Sequence, residues 1–102
     1  MADEIQIIQP KQLENMLNNK EDVCVIDVRE DEEVQAGKIP EAMHIRLSEI
    51  PEKYQDLDNG KNYVMVCRSG RRSEKAAEFL QDKGFKVKNM VGGMIKWQGN
   101  VE

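Results

Sequence analysis

Residues 64–73 read Val-Met-Val-Cys-Arg-Ser-Gly-Arg-Arg-Ser, and this segment is the strongest indication of the fold class. The apolar residues 63–66 predict a buried strand, and apolar residues at Ala76, Ala77 and Leu80 predict a helix over 73–83. Residues 67–72 then form a loop from the carboxyl end of a strand to the amino end of a helix. This order is typical of α/β proteins, whose ligands bind at that edge of the sheet.

Strands and helices alternate on both sides of this segment. Towards the amino terminus, residues 23–28 are apolar on both faces and predict a central strand, preceded by a short strand at 5–7 and a helix after Pro10. Residues 43–45 predict an extended segment, and Ser48 is a candidate cap of a short helix. Towards the carboxyl terminus, residues 85–90 alternate as a strand with one exposed face, and Gly92-Gly93 allows a turn into a last short helix. We predict one α/β domain over 1–102, built around a mostly parallel sheet.

Composition excludes several classes of function. The chain has 102 residues, 39% of them hydrophobic and 33% charged, with a formal net charge of −4, as expected for one compact domain. The acidic balance argues against a nucleic-acid partner, and no stretch approaches the roughly 20 apolar residues of a membrane helix. Residues 1–10 have no signal-peptide pattern, so we expect an unprocessed cytoplasmic protein. One histidine, His44, and no C-x-x-C pair argue against a metal site, and no cofactor is expected.

Positive charge is concentrated beside one cysteine. Three of the five arginines, Arg68, Arg71 and Arg72, directly follow Cys67. The helix amino terminus, the loop amides around Gly70 and these cations all stabilise an anion. They should lower the pKa of Cys67 from its unperturbed value of ~8.5, so that a nucleophilic thiolate exists near neutral pH.

Such a thiolate facing an oxyanion allows two chemistries. It can attack phosphorus, or it can attack the outer, sulfane sulfur of a donor such as thiosulfate and become a persulfide. An inert core thiol is the other interpretation of Cys67, but such a thiol is seldom followed by a run of arginines. Cys24, inside an apolar run, is best interpreted as a small core hydrophobe.

Three separated motifs resemble the rhodanese family of sulfurtransferases over nearly the whole chain. They are residues 25–29 with 37–42 (VIDVR and GKIPEA), the loop 67–73 (CRSGRRS), and residues 89–97 (NMVGGMIKW). The resemblance implies a rhodanese-like fold, a five-stranded sheet with helices on both faces. It also implies a persulfide carried on Cys67 and a cradle made by the amides of residues 68–72. The implied partners are a small anionic sulfur donor and a thiol or protein acceptor. The residues expected to bind substrate are Arg68, Ser69, Gly70, Arg71, Arg72 and Ser73.

The length of the loop separates sulfur chemistry from phosphoryl chemistry. Protein tyrosine phosphatases have five residues between cysteine and arginine, and phosphatases on the rhodanese fold have a seven-residue loop. Here four residues separate Cys67 from Arg72, and Ser73 takes the sixth position. The smaller loop favours thiosulfate-type sulfur transfer. A persulfide carrier without turnover and a phosphatase or arsenate reductase remain as alternatives.

The remaining polar residues near the motifs have structural interpretations too. We expect Asp27 and Arg29 to support the cysteine loop, while they can also pair with each other. Arg68 and Arg71 are either substrate contacts or solvated surface charges, and Arg72 ends the cradle. The acidic run 30–33 is interpreted as a solvated face. Gly92-Gly93 is interpreted as a backbone device, that is, a turn whose conformation requires glycine, and Trp97 as a core residue. Where the family commonly has G-H-I-P-G-A, this chain has Lys38 and Glu41, and His44 is interpreted as structural.

Overall fold

A five-stranded sheet forms the centre of the fold in the computed structural model, which describes residues 4–102. The strands are β1 Gln6–Ile8, β2 Cys24–Asp27, β3 Met43–His44, β4 Asn62–Val66 and β5 Lys86–Met90. Their order across the sheet is β1-β5-β4-β2-β3, and every neighbouring pair is parallel. The predicted five-stranded α/β architecture is therefore confirmed. The chain runs in the same direction along β2, β4 and β5, so the carboxyl ends of these central strands share one edge.

Four α-helices connect the strands. They are α1 Pro10–Asn18, α2 Asp31–Gln35, α3 Ile50–Lys53 and α4 Arg71–Asp82. Short 3-10 segments cover Leu47–Glu49, Tyr54–Asp56 and Gly93–Lys96. Pro10 lies in the first turn of α1, where its missing N–H costs no hydrogen bond. Within residues 4–102, no helix combines the length and the apolar composition that crossing a bilayer requires.

Successive residues of the central strands point to opposite faces and build two hydrophobic cores. On one face, Ile26 and Met65 pack with Ala76, Ala77 and Leu80 of α4. On the other face, Val25 and Val64 pack with Leu13 of α1, and Trp97 packs against the edge of this second core. Cys24 is half-buried and packs against the first core, which agrees with its interpretation as a small hydrophobe. Helices on both faces follow from these two apolar surfaces.

Three local predictions differ from the structure. Helix α4 begins at Arg71 instead of Ser73, because Gly70 takes a left-handed conformation (φ +102°) that ends the loop two residues earlier. Ser48 lies inside a 3-10 turn instead of capping a helix, and Glu49 occupies the N-cap position of α3. The last helix is a 3-10 segment that ends before Trp97.

Candidate active site

Cys67 lies at the point where β4 ends and the loop towards α4 begins. Its side chain is fully buried, with 0% of its surface exposed. Because Gly70 turns the chain sharply after three residues, the loop curls around the sulfur and α4 starts directly above it. The glycine at position 70 therefore lets the loop backbone enclose the Cys67 thiol.

Hydrogen-bond donors from the loop and from α4 surround Cys67 Sγ. The amide of Gly70 donates to Sγ over 3.0 Å, and the Ser73 hydroxyl lies within hydrogen-bond distance at 3.3 Å. Burial raises the pKa of the Cys67 thiol, but hydrogen bonds from the Ser73 hydroxyl and from the amides of Ser73, Gly70 and Ser69 outweigh it and lower the pKa overall. The cradle was expected over residues 68–72. The amides that stabilise Sγ include Ser73, one residue beyond that range.

Asn89 completes the site, and sequence reasoning assigned it no role. Its side-chain carbonyl accepts a hydrogen bond from Ser73 Oγ over 2.5 Å, and its amide nitrogen donates to the Gly70 carbonyl over 3.0 Å. Only 5% of its surface is exposed. The available signal was the alternation of residues 85–90, which places this polar residue on the buried face of β5.

The segment after β5 is hydrogen-bonded to the backbone of the Cys67 loop. Met94 N donates to the Cys67 carbonyl over 2.8 Å, and Ile95 N donates to the Arg68 carbonyl over 3.0 Å. A side chain on Gly93 would collide with the Arg68 carbonyl and would lie 2.6 Å from the Cys67 carbonyl. Gly92 and Gly93 both have positive φ, so the prediction that this pair is a backbone device is confirmed.

The Arg72 side chain forms an ion pair with an acidic residue of α2. Its two terminal nitrogens donate to the two carboxylate oxygens of Glu33 on α2, over 2.7 and 2.8 Å. This pair lowers the pKa of Glu33 to about 2, chiefly through the Arg72 hydrogen bond. The acidic run 30–33 is therefore more than the solvated face that was expected, because the turn of α2 brings Glu33 against α4. The Arg72 guanidinium is engaged in this ion pair and its charge still acts on Cys67, so contact of Arg72 with substrate stays a prediction.

The expected support of the cysteine loop by Asp27 and Arg29 is also corrected. Both residues are buried, and the Arg29 guanidinium donates to both carboxylate oxygens of Asp27 over 2.8 to 3.0 Å. Arg29 also donates to the Gly37 carbonyl over 2.8 Å. The pair thus ties the end of β2 to the segment that leads into β3. β2 is joined to β4, the strand that leads into the cysteine loop, by their parallel ladder and by a further backbone bond of 2.9 Å from Val28 N to the Val66 carbonyl.

Two residues that follow β2 have structural contacts as well. The Lys38 ammonium donates to the carbonyls of residues 39, 40 and 42 over 3.1 to 3.2 Å and pairs with Glu102. His44 Nε2 lies 2.7 Å from the Arg29 carbonyl and so donates to it, which agrees with a structural role. Glu41 is exposed. Lys38 therefore stabilises the 39–42 turn by donating hydrogen bonds to the backbone carbonyls of that turn.

The remaining predicted residues lie on the exposed part of the loop and at the first residue of α4. Arg68, Ser69 and Arg71 are exposed, and within residues 4–102 neither of these two arginines forms an ion pair. Their contact with substrate stays a prediction. Across the same residues, no group of three or more His, Cys, Asp or Glu side chains is arranged to hold a metal ion. The site thus combines the buried Cys67 sulfur with two exposed arginines, Arg68 and Arg71, that follow it in the chain.

Comparison with known proteins agrees with this architecture. The Rhodanese-like domain family matches residues 9–100. YtwF of Bacillus subtilis, which is provisionally named a sulfurtransferase, is 46% identical over 99 residues that cover 97% of this chain and 96% of YtwF. YrkF of the same organism, provisionally named a sulfur carrier protein, is 36% identical over 99% of this chain and 55% of YrkF. A rhodanese-like domain protein from Staphylococcus aureus superposes with a TM-score of 0.90 at 34% identity, covering 96% of this chain and 97% of that one.

A parallel five-stranded sheet with a cysteine loop at its carboxyl edge defines the class of protein. The family match covers most of the chain, and YtwF is similar over nearly its whole length. The chain belongs to the rhodanese-like domain family.

Proposed function

We propose that this protein is a sulfurtransferase that moves sulfane sulfur from a small anionic donor such as thiosulfate to a thiophilic acceptor through a persulfide on Cys67. The observation that carries the proposal is the set of donors aimed at Sγ, from Gly70 N at 3.0 Å and Ser73 Oγ at 3.3 Å. These donors stabilise a thiolate without a neighbouring base. The names of the relatives YtwF and YrkF support sulfur chemistry of this kind.

In the first half-reaction the Cys67 thiolate attacks the outer sulfur of thiosulfate. A new bond forms between Sγ and that sulfur, while the sulfur–sulfur bond of thiosulfate breaks and sulfite leaves with its electron pair. The outer sulfur keeps the negative charge that it carries in thiosulfate, while the charge of the nucleophile leaves with sulfite, so the persulfide is an anion on its outer sulfur. The loop amides remain beside this anion, and the exposed cations Arg68 and Arg71 attract the donor to the opening.

In the second half-reaction an acceptor removes the outer sulfur. Cyanide, or the thiolate of a thiol, attacks that sulfur and forms thiocyanate or a new persulfide. The bond to Sγ breaks, its electron pair stays on Sγ, and the Cys67 thiolate is restored. No step consumes an oxidant, a reductant or a metal ion.

The position of Arg72 argues against phosphoryl or arsenate chemistry. A phosphatase of the cysteine type uses an arginine fork to hold two phosphate oxygens. In this chain both terminal nitrogens of Arg72 are bound to Glu33 at 2.7 and 2.8 Å. The short loop and this ion pair together favour a sulfur-sized group over a tetrahedral oxyanion.

Replacement of Cys67 tests the proposal. Cys67→Ser should abolish transfer of sulfur from thiosulfate to cyanide, because an alcohol is a far weaker nucleophile than a thiolate. Cys24→Ala is the matched control, since it removes the other thiol and should keep full activity. The melting temperatures of both variants show whether the fold is intact. Retained activity in a folded Cys67→Ser variant would contradict the assignment.

The complete burial of Cys67 favours a second candidate function, that of a persulfide carrier. A persulfide on so deeply buried a sulfur would react slowly with free thiols and faster with a protein acceptor docked at the loop. Intact mass after incubation with thiosulfate distinguishes the two. A gain of one sulfur atom without steady-state formation of thiocyanate supports the carrier, whereas continuous turnover supports the enzyme. Absence of hydrolysis of an aryl phosphate and of arsenate reduction would remove the third alternative.

A further inference from the structure

The Ser73 hydroxyl has two acceptors for a single hydrogen. Asn89 Oδ1 lies 2.5 Å from Ser73 Oγ, and Cys67 Sγ lies 3.3 Å from it. A hydroxyl carries one hydrogen, so it donates to only one of these acceptors at a time. Rotation about the bond between Cβ and Oγ moves the hydrogen from one acceptor to the other, and no heavy atom has to move.

The Asn89 side chain is held in a defined orientation by its other end. Its nitrogen donates to the Gly70 carbonyl over 3.0 Å, which points Oδ1 towards Ser73. The Gly70 amide in turn donates to Cys67 Sγ, so Gly70, Asn89 and Ser73 are linked to one another beside the sulfur. Asn89 and Ser73 are both buried, and therefore water does not compete for these contacts.

We infer that Asn89 is a positioning residue for Cys67, which holds the Ser73 hydroxyl beside the sulfur and accepts its hydrogen whenever Sγ carries no charge. Asn89 does not touch the reacting atoms in this arrangement. It acts through Ser73, whose hydroxyl turns to Sγ when the thiolate forms and turns back when the charge leaves. Nothing in the motif pattern of the sequence assigned this role to Asn89.

The inference rests on the proposed persulfide cycle, because that cycle moves charge off Sγ. In the thiolate, Sγ is the anion and attracts the Ser73 hydrogen. In the persulfide the charge lies on the outer sulfur, and a bonded Sγ is a poor acceptor. Asn89 Oδ1 then takes the hydrogen, so the buried hydroxyl is satisfied in both states. Without Asn89, the Ser73 hydroxyl would have a good hydrogen-bond acceptor only while Cys67 is a thiolate.

Other charged groups around Cys67 stay the same in the test variants. Arg68 and Arg71 lie on the loop and the first turn of α4. Arg72, which interacts electrostatically with Cys67, is paired with Glu33 of α2. Asp27 and Arg29 pair with each other at the end of β2. The variants below replace Asn89 and Ser73 and alter none of these charges, except where Asn89→Asp adds one.

The test is a double-mutant cycle on Asn89 and Ser73, all in a Cys24→Ala background. The readout is the pH dependence of alkylation of Cys67 by iodoacetamide, which needs no sulfur donor and therefore holds even if the proposed function fails. Asn89→Val removes the competing acceptor, so the pKa of Cys67 should fall by about 0.5 to 1, the worth of one hydrogen bond. Ser73→Ala should raise it by a similar amount, and the double variant should match Ser73→Ala.

The direction of the Asn89→Val effect separates positioning from simple structural support. Loss of loop order would weaken the amide donors and raise the pKa of Cys67, whereas loss of a competing acceptor lowers it. A raised or unchanged pKa, or an equal change with and without the Ser73 hydroxyl, overturns the inference. Asn62→Val, on an exposed position of the neighbouring strand, is the matched control and should leave the profile unchanged.

A second, nearly isosteric variant keeps the test decisive if Asn89→Val does not fold. Asn89→Asp adds a carboxylate that binds the Ser73 hydrogen and repels the thiolate, and so it should raise the pKa of Cys67. In the Ser73→Ala background only the repulsion remains, and the rise should be smaller. Equal rises in both backgrounds overturn the inference, and a larger rise with the Ser73 hydroxyl present supports it.

Discussion

Arg72 and Glu33 are joined by a two-point ion pair, with distances of 2.7 and 2.8 Å between the guanidinium nitrogens and the carboxylate oxygens. The pair connects the first turn of α4, which follows the Cys67 loop, to the short helix α2 that follows β2. It therefore braces the helix that supplies the Ser73 donor, and it occupies both terminal nitrogens of the Arg72 guanidinium.

Glu33→Gln should make the protein less stable at neutral pH and alter its response to acid. The pKa of Glu33 is about 2 in the folded protein, below its ordinary value of 4.5. A carboxylate with a lowered pKa stabilises the fold above its unfolded pKa and loses that contribution as the pH falls. We expect a loss of about 1 kcal/mol in the free energy of unfolding at pH 7, a modest figure because both side chains are partly exposed.

The difference between the native protein and Glu33→Gln should disappear between about pH 4.5 and pH 2. Urea denaturation at several pH values measures it. Glu32→Gln, an exposed neighbour with the same change in charge, is the control and should cost much less. A difference that stays constant down to pH 2 would show that the ion pair does not stabilise the fold.

Cys67 should react with iodoacetamide at a lower pH than an ordinary thiol. Burial raises the pKa of this thiol, and the hydrogen bonds from Ser73, Gly70 and Ser69 lower it by more. The alkylation rate of the Cys24→Ala variant should therefore reach half its plateau below about pH 8.5, the midpoint of an unperturbed cysteine. Free glutathione measured alongside serves as the reference. A midpoint at or above that of glutathione would contradict the thiolate cradle.

Gly93→Ala should destabilise the protein by about 2 to 3 kcal/mol, because it combines a positive φ with a steric collision. The new Cβ would lie 2.6 Å from the Cys67 carbonyl and closer still to the Arg68 carbonyl. Gly84→Ala is a suitable control, since Gly84 also has positive φ but has no atom within 4 Å of an added Cβ. It should cost only about 1 kcal/mol. Equal losses, measured by denaturation, would mean that close packing under the loop is unimportant.

Asp27→Ala should cost about 3 to 5 kcal/mol, because it leaves the buried Arg29 guanidinium without its counter-charge. The double variant Asp27→Leu with Arg29→Met removes both charges and should lose less than Asp27→Ala. If it folds, its alkylation profile at Cys67 should match the native one, since this pair bonds to Gly37 and not to the cysteine loop. A shifted profile would restore the role that the sequence suggested for these two residues.

Arg68→Ala and Arg71→Ala should each slow sulfur uptake from thiosulfate at low ionic strength. Both side chains are exposed, so they act by attracting the donor and their effect is screened by salt. A two- to fivefold rise in KM per arginine corresponds to roughly 0.5 to 1 kcal/mol. Lys75→Ala, an exposed cation further along α4, should change little. Equal rises in KM for the Arg68, Arg71 and Lys75 variants would indicate that the overall positive charge attracts thiosulfate and that the position of the arginines beside Cys67 is unimportant.

Local patterns were sufficient for the architecture and for the place of the cysteine loop in it. The apolar run 63–66, the cysteine and the helix after it are contiguous, so periodicity and composition predict a strand, an anion-binding loop and a reactive thiol at one sheet edge. Helix α4 begins two residues earlier than predicted because the left-handed Gly70, which the pattern does not reveal, ends the loop.

The partners of the polar side chains depended on the tertiary structure. Arg72 meets Glu33 across 39 positions of sequence, and Ser73 meets Asn89 across 16. Such pairs form because parallel strands and their crossover helices bring distant segments to the same edge of the sheet, and no local rule encodes which side chains then face each other. The sequence by itself determined which cysteine lies in the loop at the sheet edge, because strand, cysteine and helix are contiguous. The tertiary structure decided which arginines stay outside ion pairs and which buried amide accepts a hydrogen bond from the hydroxyl beside the sulfur, because those contacts join distant segments.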